Sequence, residues 1–156
     1  MIRVSILDSK TNESGLILIK TSNIVCLMED DEEERCRIDM QGGFSFMSSE
    51  AYDEVKAKIE HDEMSRLPFE VRWLEVHNTQ MSEKRALIRK ESINTVLNTD
   101  KHTEIELVFE IQSEMRLYVL ACEDFDTVYN EMQRTPAREL LSKYRRKKGN
   151  TPQNSA

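Results

Sequence analysis

A chain of 156 residues with 38% hydrophobic and 33% charged side chains has the composition of a soluble globular protein, long enough for one ordinary domain or two very small ones. No apolar run approaches the ~20 residues that cross a bilayer, and the first residues alternate apolar with polar instead of forming a secretory leader, so a cytoplasmic protein is expected. The net charge of -7 is unevenly spread: residues 1–68 hold 8 Lys/Arg against 15 Asp/Glu, residues 69–132 hold 7 against 13, and residues 133–156 hold 7 against 1. An acidic body repels phosphate backbones, whereas a short basic tail attracts nucleic acid, an anionic surface or the body of a neighbouring copy.

Met1 to Asp8 alternates Ile2, Val4 and Ile6 with polar residues, the period of a half-buried strand. After a polar link at Asp8 to Ser14, the run Leu16 to Lys20 (LILIK) predicts a strand covered on both faces. A turn at Thr21 to Asn23 leads to a strand over Ile24 to Met28. Six consecutive acids, Glu29 to Glu34, then read as a solvated hairpin tip; a calcium loop would need a glycine at its tight turn, and this run has none. Arg35 to Gln41 puts Cys36, Ile38 and Met40 on one face. Gly42-Gly43 signals a turn that needs positive φ, and Phe44 to Met47 follows as a strand. Ser49 is the expected N-cap of a helix with Glu50 and Asp53 near its positive end and an apolar stripe of Tyr52, Val55 and Ile59.

The series then recurs. With a shift of 69, Leu18, Ile19 and Ile24 fall on Leu87, Ile88 and Ile93; with a shift of 73, Glu50, Asp53 and Val55 fall on Glu123, Asp126 and Val128. Glu70 to His77 mates with the first strand, Val71 and Trp73 matching Ile2 and Val4. Arg85 to Arg89 (RALIR) reads as a one-sided strand, followed by Ile93 to Leu97, a polar tip at Asn98 to His102, Thr103 to Gln112, a turn at Gln112 to Met115 and Arg116 to Leu120. Phe125, Val128 and Met132 repeat the helical stripe. Pro68 closes the first module, and Thr135-Pro136 opens a last helix with Ala137, Leu140, Leu141 and Tyr144 on one face and Arg145 to Lys148 at its end. The expected class is therefore α+β, mostly β: a tandem pseudo-twofold repeat of a five-stranded antiparallel β-meander followed by one helix, plus a C-terminal amphipathic helix. The boundaries are 1–67 and 68–134 for the repeats, 135–148 for the basic amphipathic helix and 149–156 for a disordered tail. Ile38, Leu107, Phe109, Val55, Val128 and Trp73 are the expected core.

Leu16 to Met28 with Arg35 to Ile59, and Arg85 to Leu97 with Thr103 to Met132, carry a pattern that resembles the small β-rich unit of FlbD-type flagellar proteins. More distantly it is similar to the β core of LytTR-type DNA-binding domains. The first resemblance implies no catalysis. The second implies DNA binding through strand-connecting loops, from which this chain departs by placing acids at Glu29 to Glu34.

No enzyme signature accompanies the pattern. His61, His77 and His102 occupy non-equivalent places without ligand-spaced partners, and the four glycines are too scattered to cradle a phosphate. Cys26, Cys36 and Cys122 form no Cys-x-x-Cys pair and read as small hydrophobes. No catalytic residue, metal ligand or cofactor is expected. The reading is a non-catalytic protein-interaction or scaffold module that associates with itself or a protein partner through edge strands and through Leu140, Leu141, Tyr144, Arg145, Arg146, Lys147 and Lys148. The alternatives are a nucleic-acid-associated regulator using the basic tail and a binder of a small ligand at the seam between repeats.

Overall fold

The computed structural model describes residues 1–8, 11, 13–31, 34–63, 68–81, 84–109 and 116–149. Among them the chain forms strands β1 (Ile2–Leu7), β2 (Ser14–Ile19), β3 (Ile24–Glu29), β4 (Cys36–Met40) and β5 (Ser45–Ser48), then helix α1 (Tyr52–Asp62). Strands β6 (Trp73–Asn78), β7 (Lys84–Arg89), β8 (Ile93–Asn98), β9 (Thr103–Val108) and β10 (Arg116–Ala121) follow, and the chain ends in helices α2 (Phe125–Gln133) and α3 (Pro136–Gly149). The protein is thus α+β and mostly β. Gly42 and Gly43 take φ of 84° and 81°, as the turn between β4 and β5 requires.

All strands join one ten-stranded antiparallel sheet in the order β2-β1-β5-β4-β3-β7-β6-β10-β9-β8. This corrects the expected meander. β2 and β3 follow each other in sequence but lie at opposite sides of the first five strands, because β5 returns to pair with β1. In the second five strands β10 returns in the same way to β6. The two groups meet where β3 pairs with β7, with Leu27 opposite Leu87.

That order decides which strands are covered. β3 and β7 are interior, so Val25, Cys26, Leu27 and Met28, and Ala86, Leu87 and Ile88, are buried whichever face they point to. β2 is an edge, and Leu16 and Leu18 are exposed. The burial expected of LILIK and the one-sidedness expected of RALIR are therefore reversed: an unbroken apolar run records hydrophobicity, while coverage depends on a neighbour the run does not name.

Alternation along β7 separates two cores. Leu87 joins Ile2, Val4, Ile19, Leu27, Ile38 and Trp73 beneath Tyr52, Val55 and Ile59 of α1. Its neighbours Ala86 and Ile88 join Leu74, Val76, Ile105, Leu107, Phe109 and Val119 with Val128 of α2. Successive strand residues point to opposite faces, so α1 and α2 cover opposite sides of the sheet. The six residues expected in the core are buried.

Pairing also corrects the match between the two halves. Ile19 and Ile17 face Ile2 and Val4, whereas Ile88 and Ala86 face Leu74 and Val76. Leu74 and Val76, not Val71 and Trp73, thus stand in the places of Ile2 and Val4, and Glu75 in that of Arg3. Val71 lies in the 3-10 turn Phe69–Val71. The hairpin between β6 and β7 is shorter than that between β1 and β2, and this displaces the sequence match. The expected turn at 112–115, residues 64–67, and residues 150–156 of the expected tail lie outside the described residues.

Candidate interaction surfaces

The helix starts differ from expectation. α1 is capped by Ala51, not Ser49; the Glu54 carboxylate accepts the Ala51 N–H at 3.2 Å, and alanine offers no oxygen in return. α2 is capped by Asp124, which accepts from Thr127 N at 2.8 Å. Glu50 and Glu123 serve the sheet instead. Glu50 accepts the backbone N–H of Ser5 on β1 at 2.6 Å and pairs with Lys58. Glu123 accepts the backbone N–H of His77 on β6 at 3.0 Å, with the His77 ring at 2.7 Å. Their shared position therefore reflects how each helix entry is fastened to its strand.

Polar clusters fill the seam between the halves. Arg85 donates to both Glu29 carboxylate oxygens at 2.9 and 3.1 Å and to Asp53 at 2.8 and 3.0 Å, its guanidinium 4.4 Å from the Tyr52 ring centroid. Hydrogen bonds from Arg85 hold the Glu29 carboxyl down at about 2, and the same partners push Arg85 up. Glu29 is thus the last residue of a strand and engaged at the seam, not part of a solvated tip; Asp31 and Glu34 are exposed. Beside it the Tyr52 hydroxyl and Lys56 donate to Glu75 at 2.7 and 2.6 Å. Burial opposes ionisation of Glu75, but these two donors prevail and hold its carboxyl below the ordinary range.

The third cluster is buried. Arg89 donates to the carbonyls of Ile24 and Thr21 at 2.9 and 2.7 Å and to Glu63 at 2.5 Å, and it lies 4.3 Å from the Trp73 ring centroid. Glu63 also accepts the indole N–H of Trp73 at 2.8 Å. Every partner is satisfied across the seam, which leaves between Lys56, Phe69, Trp73 and Glu75 a groove of about 220 Å³. Among the described residues, no three His, Cys, Asp or Glu side chains gather as a metal cage. Nor is any helix there long and apolar enough to cross a membrane. Cys26 and Cys36 are buried, and burial pushes the Cys36 thiol up to about 12. Cys122, which also read as a small hydrophobe, is exposed.

Among the described residues, exposed large apolar side chains lie on the edge strands β2 and β8 and on α3, and also at Met1, Phe44, Tyr118 and Tyr129. α3 runs one residue past its expected end at Lys148, with Thr135 accepting the Arg138 N–H at 3.3 Å as its cap. Leu140, Leu141, Tyr144, Arg145, Arg146 and Lys147 are all exposed, and Lys148 lies in the final turn. The link into α3 is anchored: Lys90, in the turn immediately before β8, donates from Nζ to the carbonyls of Glu131 and Arg134 at the end of α2. Burial lowers Lys90. A cleft of about 490 Å³ lies there, lined by Arg72, Lys90, Met132 and Pro136 among others. The start of α3 therefore sits beside the β6–β7 end of the second half, where Lys90 also donates its backbone N–H to the Arg72 carbonyl at 2.9 Å.

Sequence reasoning located α3 by its stripe and cap but missed Leu16, Leu18 and Leu97 as exposed edge residues. No local signal marked them: SGLILI and INTVLN lack the charge or proline that ordinarily guards an edge, and so read as covered strands. Comparisons with protein-family models, curated proteins and solved structures give no match.

Proposed function

We propose that this protein is a non-catalytic interaction or scaffold module that associates with itself through α3 and its open sheet edges. The observation that carries the reading is α3: Leu140 and Leu141 are exposed on the same face as Tyr144, followed by Arg145 to Lys148, on a body that is otherwise acidic. An apolar stripe is what a helix needs to lie in a protein groove, and the cations select an acidic one. A tail serving only nucleic acid would need the cations but not the leucines. Free thiols at Cys26, Cys36 and Cys122 fit a reducing compartment such as the cytoplasm.

In the same reading the body is one unit present twice, over residues 1–67 and 68–134, with residues 135–148 as the docking helix. Support comes from the pairing. Each half has its second strand outermost on one side and its third on the other, with the fifth returned to the first. Each has a register shift at the same place, between Ile24 and Cys26 and between Ile93 and Thr95. Each fastens its helix entry through a glutamate that accepts a backbone N–H of the first strand of that half.

Sedimentation velocity on three variants tests the reading. Deleting 136–156, or replacing Leu140 and Leu141 with Asp, should lower the associated mass with the circular dichroism of the β body intact, while Ala at Arg145 to Lys148 should weaken association mildly. If the leucine changes do nothing and the Ala replacements abolish binding to DNA or RNA, the protein is a nucleic-acid-associated regulator instead.

A further inference from the structure

We infer that copies join head to tail, the β8 edge of one pairing antiparallel with the β2 edge of the next in the register that β3 and β7 already use inside each molecule. This rests on the self-association proposed above and specifies the partner and the surface.

β3 and β7 are the third strand of the first half and the second strand of the second half; β8 and β2 are the third strand of the second half and the second strand of the first. The internal joint therefore brings together the counterparts of the two free edges. Its register, Cys26 to Ile88, Leu27 to Leu87 and Met28 to Ala86, transfers as Thr95 to Ile19, Val96 to Leu18 and Leu97 to Ile17 of the next copy. The apolar residues are already in place. Leu18 is 66% exposed where its counterpart Leu87 is 1%, and Leu97 is 55% exposed where Met28 is 4%. What buries Leu87 and Met28 is the internal joint. Neither free edge carries the charge or proline that ordinarily prevents such pairing. The register shift in β8 is no obstacle, since β3 has the same shift and pairs with β7.

The external joint lacks the polar clusters of the internal one: Glu29 and Arg85 become Asn98 and Leu16, Tyr52, Lys56 and Glu75 become Phe125, Tyr129 and Arg3, and Arg89 becomes Lys20, while Asp53 remains an acid as Asp126. No ion pair fixes the outer joint, so it is weaker than the inner one and responds to concentration. Because the two edges differ, each added copy presents a fresh edge, and growth continues unless the twist closes a ring.

The full chain with Cys122→Ser supplies the test. Asn98→Cys and Leu16→Cys are made in separate preparations and treated with a short bis-maleimide. Cross-linked dimer should form only when the two are mixed. Product within either single preparation, or none in the mixture at concentrations where the parent associates, overturns head-to-tail pairing while leaving self-association through α3 standing. A parent that stays monomeric throughout overturns both. As an independent arm, Asn98→Glu with Leu16→Arg rebuilds the inner ion pair and should tighten association about fivefold, the order of one well-placed pair. Asn98→Lys with Leu16→Arg should weaken it by a similar factor. Equal association of the two double variants contradicts the register.

Discussion

Arg89 is the residue on which the union of the two halves turns. Its guanidinium takes two carbonyls and one carboxylate from the first half while stacking on Trp73, and little water reaches it. Removing one member of such a buried pair strands the other, so Arg89→Ala should cost about 3–5 kcal/mol in urea unfolding. Glu63→Gln keeps an acceptor for the Trp73 N–H, and its loss combined with Arg89→Met should be smaller than the sum of the separate losses. Phe109 poses a simpler case: it is buried among Ile105, Leu107 and Val119, and Phe109→Ala should cost about 3–5 kcal/mol. Acid acts on the exposed side of the seam. Glu29 and Glu75 have folded values below the ordinary 4.5, so their contribution is complete above that value and fades as pH falls towards about 2 for Glu29. Urea midpoints should therefore decline between pH 4.5 and 2, and Arg85→Met should flatten the decline.

Individual strands and helices were legible in the sequence because periodicity is a local property; their coverage was not. LILIK and RALIR differ in the direction opposite to their burial, since β2 has one neighbour and β7 has two. Likewise the shorter β6–β7 hairpin moved the match by a few residues, so Trp73 took the place of Val4 in the sequence reading although Val76 occupies it in the sheet. Glu50 and Glu123 coincide in sequence for a reason no local pattern contains: each reaches a strand far away along the chain. α3 was found whole, because a proline start, an apolar stripe and terminal cations are all written within it. At this scale hydrogen exchange offers a prediction. Raising the protein concentration should protect outward-facing amides of β2 and β8 and leave rates in interior β4 and β9 unchanged, whereas unchanged edges would mean that the strands stay open on association.

Across the whole molecule, opposite placement of α1 and α2 follows from joining the third strand of one half to the second strand of the other in antiparallel fashion. Repetition of that joint outside the molecule would alternate helices on the two faces of a continuing sheet. The basic α3 and the acidic body of a neighbouring copy carry opposite charge, which favours their encounter. The measurement that bears most directly on this is the molar mass of the full chain by light scattering across a wide concentration range at moderate salt. Mass should start at 18.3 kDa when dilute and rise above it with concentration. A mass fixed at 18.3 kDa up to millimolar protein would contradict self-association in every form argued above.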